Sequence, residues 1–104
     1  MEMIVADRRL QPFVVKETIK PGIELHSMAR DLSIEGMVLD TPQELLENSR
    51  YLWLEFGLQD KDDRVKALAE ITEKDHFGVK VRFKHMFPDH KRKLAIFLDR
   101  EALN

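Results

Sequence analysis

Apolar and polar residues alternate along most of this chain, and the alternation has the period of two that places successive side chains on opposite faces of a strand. Pro12 to Ile19 (Pro-Phe-Val-Val-Lys-Glu-Thr-Ile) is rich in β-branched residues and predicts a first strand, ended by the turn signal Pro21-Gly22. Ile23 to Ala29 follows, with Ile23, Leu25, Ser27 and Ala29 on one face and Glu24, His26 and Met28 on the other. Met37-Val38-Leu39 predicts a short third strand. Thr41 to Ser49 breaks the pattern and is expected as a loop with room for one helical turn.

Tyr51 to Leu58 resumes the alternation, with Leu52, Leu54, Phe56 and Leu58 facing inward. The charge run Gln59 to Arg64 reads as a solvated hairpin tip, because its acids lack the spacing of a calcium-binding loop. Val65 to Thr72 puts Val65, Ala67, Ala69 and Ile71 on one face. Glu73-Lys74-Asp75-His76 is expected as a polar turn. In the last strand, Phe77, Val79, Val81 and Phe83 point one way and Gly78, Lys80 and Arg82 the other. Six short strands joined by turns predict a closed antiparallel barrel or a small sandwich.

Only the tail changes period. Pro88 marks a start, and Leu94, Phe97 and Leu98 then fall at helical spacing, so a C-terminal helix should pack its apolar stripe on the strands. His90, Lys91, Arg92 and Lys93 crowd its first turns, where the helix dipole favours acids. The fold class is thus all-β with a C-terminal helix.

Between the second and third strands lies Arg30-Asp31-Leu32-Ser33-Ile34-Glu35-Gly36. Asp and Ser are turn residues that bind nearby backbone, and Gly admits conformations that other residues avoid. Alone, the stretch reads as a hairpin connection. The same residue types can also face a ligand: a carboxylate accepts hydrogen bonds, a hydroxyl donates and accepts, and a glycine lets backbone come close.

Composition narrows the function classes. Apolar residues make up 43% of the 104-residue chain and charged residues 35%, which fits one globular domain with a heavily charged surface. The formal charge of −2 argues against general binding of DNA, RNA or anionic membranes, since each wants a basic excess. The chain has no cysteine, which excludes disulfides and thiolate chemistry. Its first residues lack the apolar core of a signal peptide, and no apolar run is long enough to cross a bilayer. The expectation is a cytoplasmic protein without membrane insertion.

Catalytic and metal-binding patterns are not found. His26, His76, His85 and His90 show no metal-ligand spacing, so no metal site is expected. Ser27, Ser33 and Ser49 lack the glycines of a nucleophile elbow, and the four glycines form no phosphate-binding loop. A binding or regulatory module is expected, not an enzyme.

Taken in order, these elements resemble the PilZ domain family. A basic Arg8-Arg9 leader precedes the first strand, and Asp31-Leu32-Ser33-Ile34-Glu35-Gly36 matches that family's [Asp/Asn]-x-Ser-x-x-Gly motif. Phe77-Gly78-Val79-Lys80-Val81-Arg82-Phe83 is similar to its penultimate Gly-Val-x-Phe-type strand. Phe87-Pro88-Asp89-His90-Lys91-Arg92-Lys93-Leu94-Ala95-Ile96-Phe97-Leu98 is similar to its closing helix. The likeness runs from about Arg8 to Leu98.

The resemblance implies a six-stranded antiparallel β-barrel that binds cyclic di-GMP, a bacterial second messenger, with no other cofactor. It implies one domain over residues 1–104: a flexible basic leader at 1–11, the barrel at 12–83 and the helix at 88–103. In that family an Arg-x-x-x-Arg leader wraps over the ligand and the Asp-x-Ser-x-x-Gly stretch meets it from the barrel. The ligand-binding residues expected here are therefore Arg8, Arg9, Asp31, Ser33 and Gly36, with Arg30 added for its position just before Asp31. A guanidinium suits phosphate or the O6/N7 edge of guanine, and a carboxylate suits guanine N–H groups.

The leader departs from the family pattern. Four residues after Arg8 stands Pro12, and four after Arg9 stands Phe13, so no register supplies the second arginine. Arg30 is the candidate substitute, and Phe13→Arg is expected to tighten binding. The departure also frames an alternative, a divergent PilZ-like adaptor that takes a protein partner and little or no cyclic di-GMP. A downstream protein partner is expected on either reading.

Overall fold

The structure is a computed structural model and describes residues 8–9, 12–58, 64–76 and 78–103. Its strands are β1 (Arg8–Arg9), β2 (Phe13–Lys20), β3 (Ile23–Arg30), β4 (Leu32–Ser33), β5 (Gly36–Leu39), β6 (Tyr51–Gly57), β7 (Arg64–Asp75) and β8 (Gly78–Met86). A 3₁₀ turn at Gln43–Leu46 interrupts them, and helix α1 (Pro88–Leu103) closes the chain. Six strands form a closed antiparallel barrel in the order β2-β3-β5-β8-β7-β6, with β6 returning to β2 through Val15 opposite Phe56. Closure leaves the barrel without an open sheet edge. This is the closed-barrel alternative, and the sandwich is set aside.

The inward face follows the expected alternation. Val15 on β2, Leu39 on β5, Leu52, Leu54 and Phe56 on β6, Val65, Ala67 and Ala69 on β7, and Val79 and Val81 on β8 are all buried. Phe56 is the aromatic centre, with Phe13 tilted against it at 5.7 Å between ring centroids and Phe83 stacked at 6.2 Å. Helix α1 adds Leu94, Phe97 and Leu98 to the same core and lies against β1 and β7. Its entry is fixed by the Lys66 N–H, which donates to His90 Nδ1 at 3.1 Å. Asp89 in the first turn suits the dipole and accompanies the basic residues noted above.

Three boundaries differ from the expectation. β7 continues through Glu73 and Lys74 to Asp75, where a polar turn was expected, and β8 runs on to Met86, beyond Phe83. The physical reason is a pair of bulges. Ile71 faces Val81 but Glu73 faces Lys80, so Thr72 is the extra residue on β7; Leu68 faces His85 but Ala69 faces Phe83, so Lys84 is the extra residue on β8. Each bulge breaks the period of two without ending the ladder. The third difference is β4, a two-residue strand inside what reads as a connection. The charge run at 59–63, Phe77 and leader residues 1–7 and 10–11 lie outside the described residues.

Glu17 is an unexpected member of the interior. It is 0% exposed, and its Oε2 accepts from Thr41 Oγ1 at 2.6 Å and from the Ser27 hydroxyl. Thr41 Oγ1 also lies 3.1 Å from Ser27 Oγ. Two strands and the segment after β5 thereby meet at one carboxylate, on the stretch of β2 farther from Phe13.

Candidate functional site

The Asp31 to Gly36 stretch is built as a tight connection whose polar groups serve its own backbone first. Asp31 sits at φ 55°, in the left-handed region, where the chain turns sharply from β3 into β4. Aspartate tolerates that region better than most residues, but it still carries a conformational cost. Ser33 Oγ accepts from the N–H of Glu35 at 3.1 Å and of Gly36 at 3.3 Å, closing the turn. The Glu35 carbonyl then accepts from the Phe83 N–H at 2.8 Å, tying the turn to β8.

Gly36 is required by close approach. It stands opposite Arg82 in the β5–β8 ladder, and a Cβ there would lie 2.0 Å from the Val81 carbonyl oxygen and 3.1 Å from the Arg82 Cα. Only a residue without a side chain brings the motif this near to β8.

That approach creates an open cavity of about 560 Å³, lined by Asp31, Ser33, Glu35, Gly36, Met37, Val38, Thr72, Lys80, Val81 and Arg82. The volume is in the range of small-molecule sites. Its lining mixes two carboxylates with two cations. Lys80 stands opposite Val38 and Arg82 opposite Gly36, both exposed. Arg82 also faces Glu70 across the β7 ladder, yet Glu70 is engaged by Arg50 at 3.4 Å and Lys84 at 3.5 Å. Neither Lys80 nor Arg82 forms an ion pair among the described residues. Thr72, the bulged residue, donates its hydroxyl to the Lys80 carbonyl at 3.2 Å and so fixes the backbone beneath that lysine.

The leader reaches the same place. Arg8 pairs with Ser33 and Arg9 with Leu32 in the antiparallel β1–β4 ladder. Of the six residues expected at the site, Asp31, Ser33 and Gly36 line the cavity, and Arg8 and Arg9 are joined to the motif through their backbone. Arg30 is placed differently. Its guanidinium donates to Asp40, and its Nη2 lies 3.6 Å from where a Cβ on Gly78 would stand, toward the end of β8 away from Gly36. It is not part of the cavity lining.

Phe13 also departs from the expected role. It is 7% exposed and packed on Phe56, so its side chain belongs to the core and not to a surface that a ligand could reach. An arginine there would carry a charge into apolar surroundings. Pro12, the alternative position, is exposed.

Glu35, Thr72, Lys80 and Arg82 were missed as site residues. The alternation did put Lys80 and Arg82 on the outward face. What it lacked was the non-local pairing of β5 with β8 that sets them beside Gly36.

No helix among the described residues is long and apolar enough to cross a membrane. A comparison with curated proteins found no match. The sequence matches the family model described as PilZ domain over residues 7–100, nearly the whole chain. With the six-stranded barrel, the closing helix and a cavity lined in part by Asp31, Ser33 and Gly36, that match shows that the chain belongs to the PilZ domain family.

Proposed function

We propose that this PilZ domain is a cyclic di-GMP receptor whose ligand sits in the Asp31–Gly36 cavity under the arginine leader. PilZ domains are in general cyclic di-GMP-binding modules and not catalysts. The observation that carries the reading is the pairing of Arg8 with Ser33, which brings a basic leader onto the motif at the cavity's edge. Asp31 and Glu35 supply acceptors suited to the N1–H and N2–H₂ groups of guanine. The leader arginines supply forks suited to phosphate or to the O6/N7 edge. On this reading the protein is a binding and regulatory element of bacterial second-messenger signalling in the cytoplasm, passing its state to a downstream protein.

Calorimetric titration with cyclic di-GMP is the test. Binding tighter than 100 µM (about −5 kcal/mol) is expected. Absence of heat at that concentration removes the proposal.

One observation favours a second reading, a PilZ adaptor that works through a protein partner. The position four residues after Arg9 is the buried Phe13, so the leader has one guanidinium fewer than the family pattern. On that reading an Asp31→Ala variant captures its partner as well as the wild type does.

A further inference from the structure

We propose that Lys80 and Arg82, on the outward face of β8, are the phosphate-binding cations of this site and take the place of the absent second leader arginine. The inference rests on the cyclic di-GMP reading and concerns how that ligand is held.

The argument starts from the charges in the cavity. Asp31 and Glu35 are acids, so an anionic dinucleotide needs cations beside them in addition to those of the leader. Lys80 and Arg82 are the two cations of the lining. They are residues i and i+2 of one strand, so both side chains leave the same face, about 7 Å apart along it. Each faces the motif strand directly: Arg82 opposite Gly36, where no side chain intervenes, and Lys80 opposite Val38.

That neither forms an ion pair among the described residues is the second observation. Other outward cations nearby are engaged: Lys84 and Arg50 on Glu70, Arg64 on Glu55, Arg30 on Asp40. Lys80 and Arg82 make no ion pair among the described residues, although Lys80 lies opposite Glu73 and Arg82 opposite Glu70. A solvated cation beside a cavity can pair with a phosphate without first giving up a carboxylate. Arg30 lacks that freedom, since its Asp40 contact would have to break.

The backbone beneath these residues is fixed as well. The Thr72 hydroxyl bonds the Lys80 carbonyl, and the Phe83 N–H bonds the Glu35 carbonyl on the other side of Arg82. The two cations therefore sit on a clamped strand segment, which limits the ordering cost of holding a ligand to their own side chains.

Calorimetry with cyclic di-GMP on the full chain tests this with Lys80→Ala, Arg82→Ala and Lys20→Ala. Lys20 is an exposed cation at the far end of β2, beside the Pro21-Gly22 turn. Thermal unfolding of each variant checks that the fold is intact. The expected result is binding weakened about tenfold or more by each β8 substitution, the size of a lost charged hydrogen bond. Lys20→Ala should bind like the wild type, and all melting temperatures should agree. Added salt should weaken the wild type more than either β8 variant. Wild-type binding left unchanged by both β8 substitutions overturns this assignment and leaves the cyclic di-GMP reading standing. A wild type that binds no cyclic di-GMP overturns both.

Discussion

A Cβ on Gly36 would stand 2.0 Å from the carbonyl oxygen of Val81, so the absence of a side chain at Gly36 is what lets β5 lie against β8. This contact couples fold and site, because the same approach sets the Asp31–Gly36 turn beside Lys80 and Arg82. Gly36→Ala must push two backbones apart. It should cost about 1–3 kcal/mol, as overpacking does. In a domain of this size that lowers the melting temperature by several degrees or more. Thermal unfolding followed by circular dichroism checks it.

Asp31 separates stability from binding. Its φ of 55° is cheap for glycine and costly for alanine. Asp31→Ala should therefore lose about 1 kcal/mol of stability, whereas Asp31→Gly should keep the wild-type value within about 0.5 kcal/mol. Both remove the carboxylate and should lose the ligand. Chemical denaturation of the pair alongside ligand titration distinguishes the two effects.

The leader can be probed at two neighbouring positions with opposite outcomes. Phe13 is packed on Phe56 inside the barrel, so Phe13→Arg should destabilise the fold by at least about 3 kcal/mol instead of tightening binding. Pro12→Arg places the guanidinium on an exposed residue and should leave stability within about 1 kcal/mol. Denaturant midpoints of the two variants test the difference.

Glu17 ties β2 to β3 and to the segment after β5 through Ser27 and Thr41. Glu17→Ala removes the acceptor that the Ser27 and Thr41 hydroxyls share and opens a gap, at an expected cost of about 2–4 kcal/mol. Hydrogen exchange should then quicken around Ser27 and Thr41 before it changes in α1.

What was legible in the sequence was whatever repeats with a fixed period. The alternation of Leu52, Leu54 and Phe56 announces β6, and the spacing of Leu94, Phe97 and Leu98 announces α1, because one buried face imposes one period. Thr72 and Lys84 were not legible as bulges, since an extra residue alters parity without altering composition. Nor was β4, because two residues are too few to show a period; Leu32 and Ser33 become a strand only by pairing with Arg9 and Arg8. In the site, Asp31, Ser33 and Gly36 could be found from their spacing. Lys80 and Arg82 could not, since their relation to Gly36 depends on a pairing between strands distant in the chain. Glu17 shares the parity of Phe13 and Val15, a signal of inward orientation that its charge masks.

The most direct test of the account is calorimetric titration of the wild type and of Asp31→Gly with cyclic di-GMP. Saturable heat with a dissociation constant below 100 µM from the wild type, and none from an equally stable Asp31→Gly, is the predicted result. No heat from the wild type, or equal heat from both proteins, would contradict it.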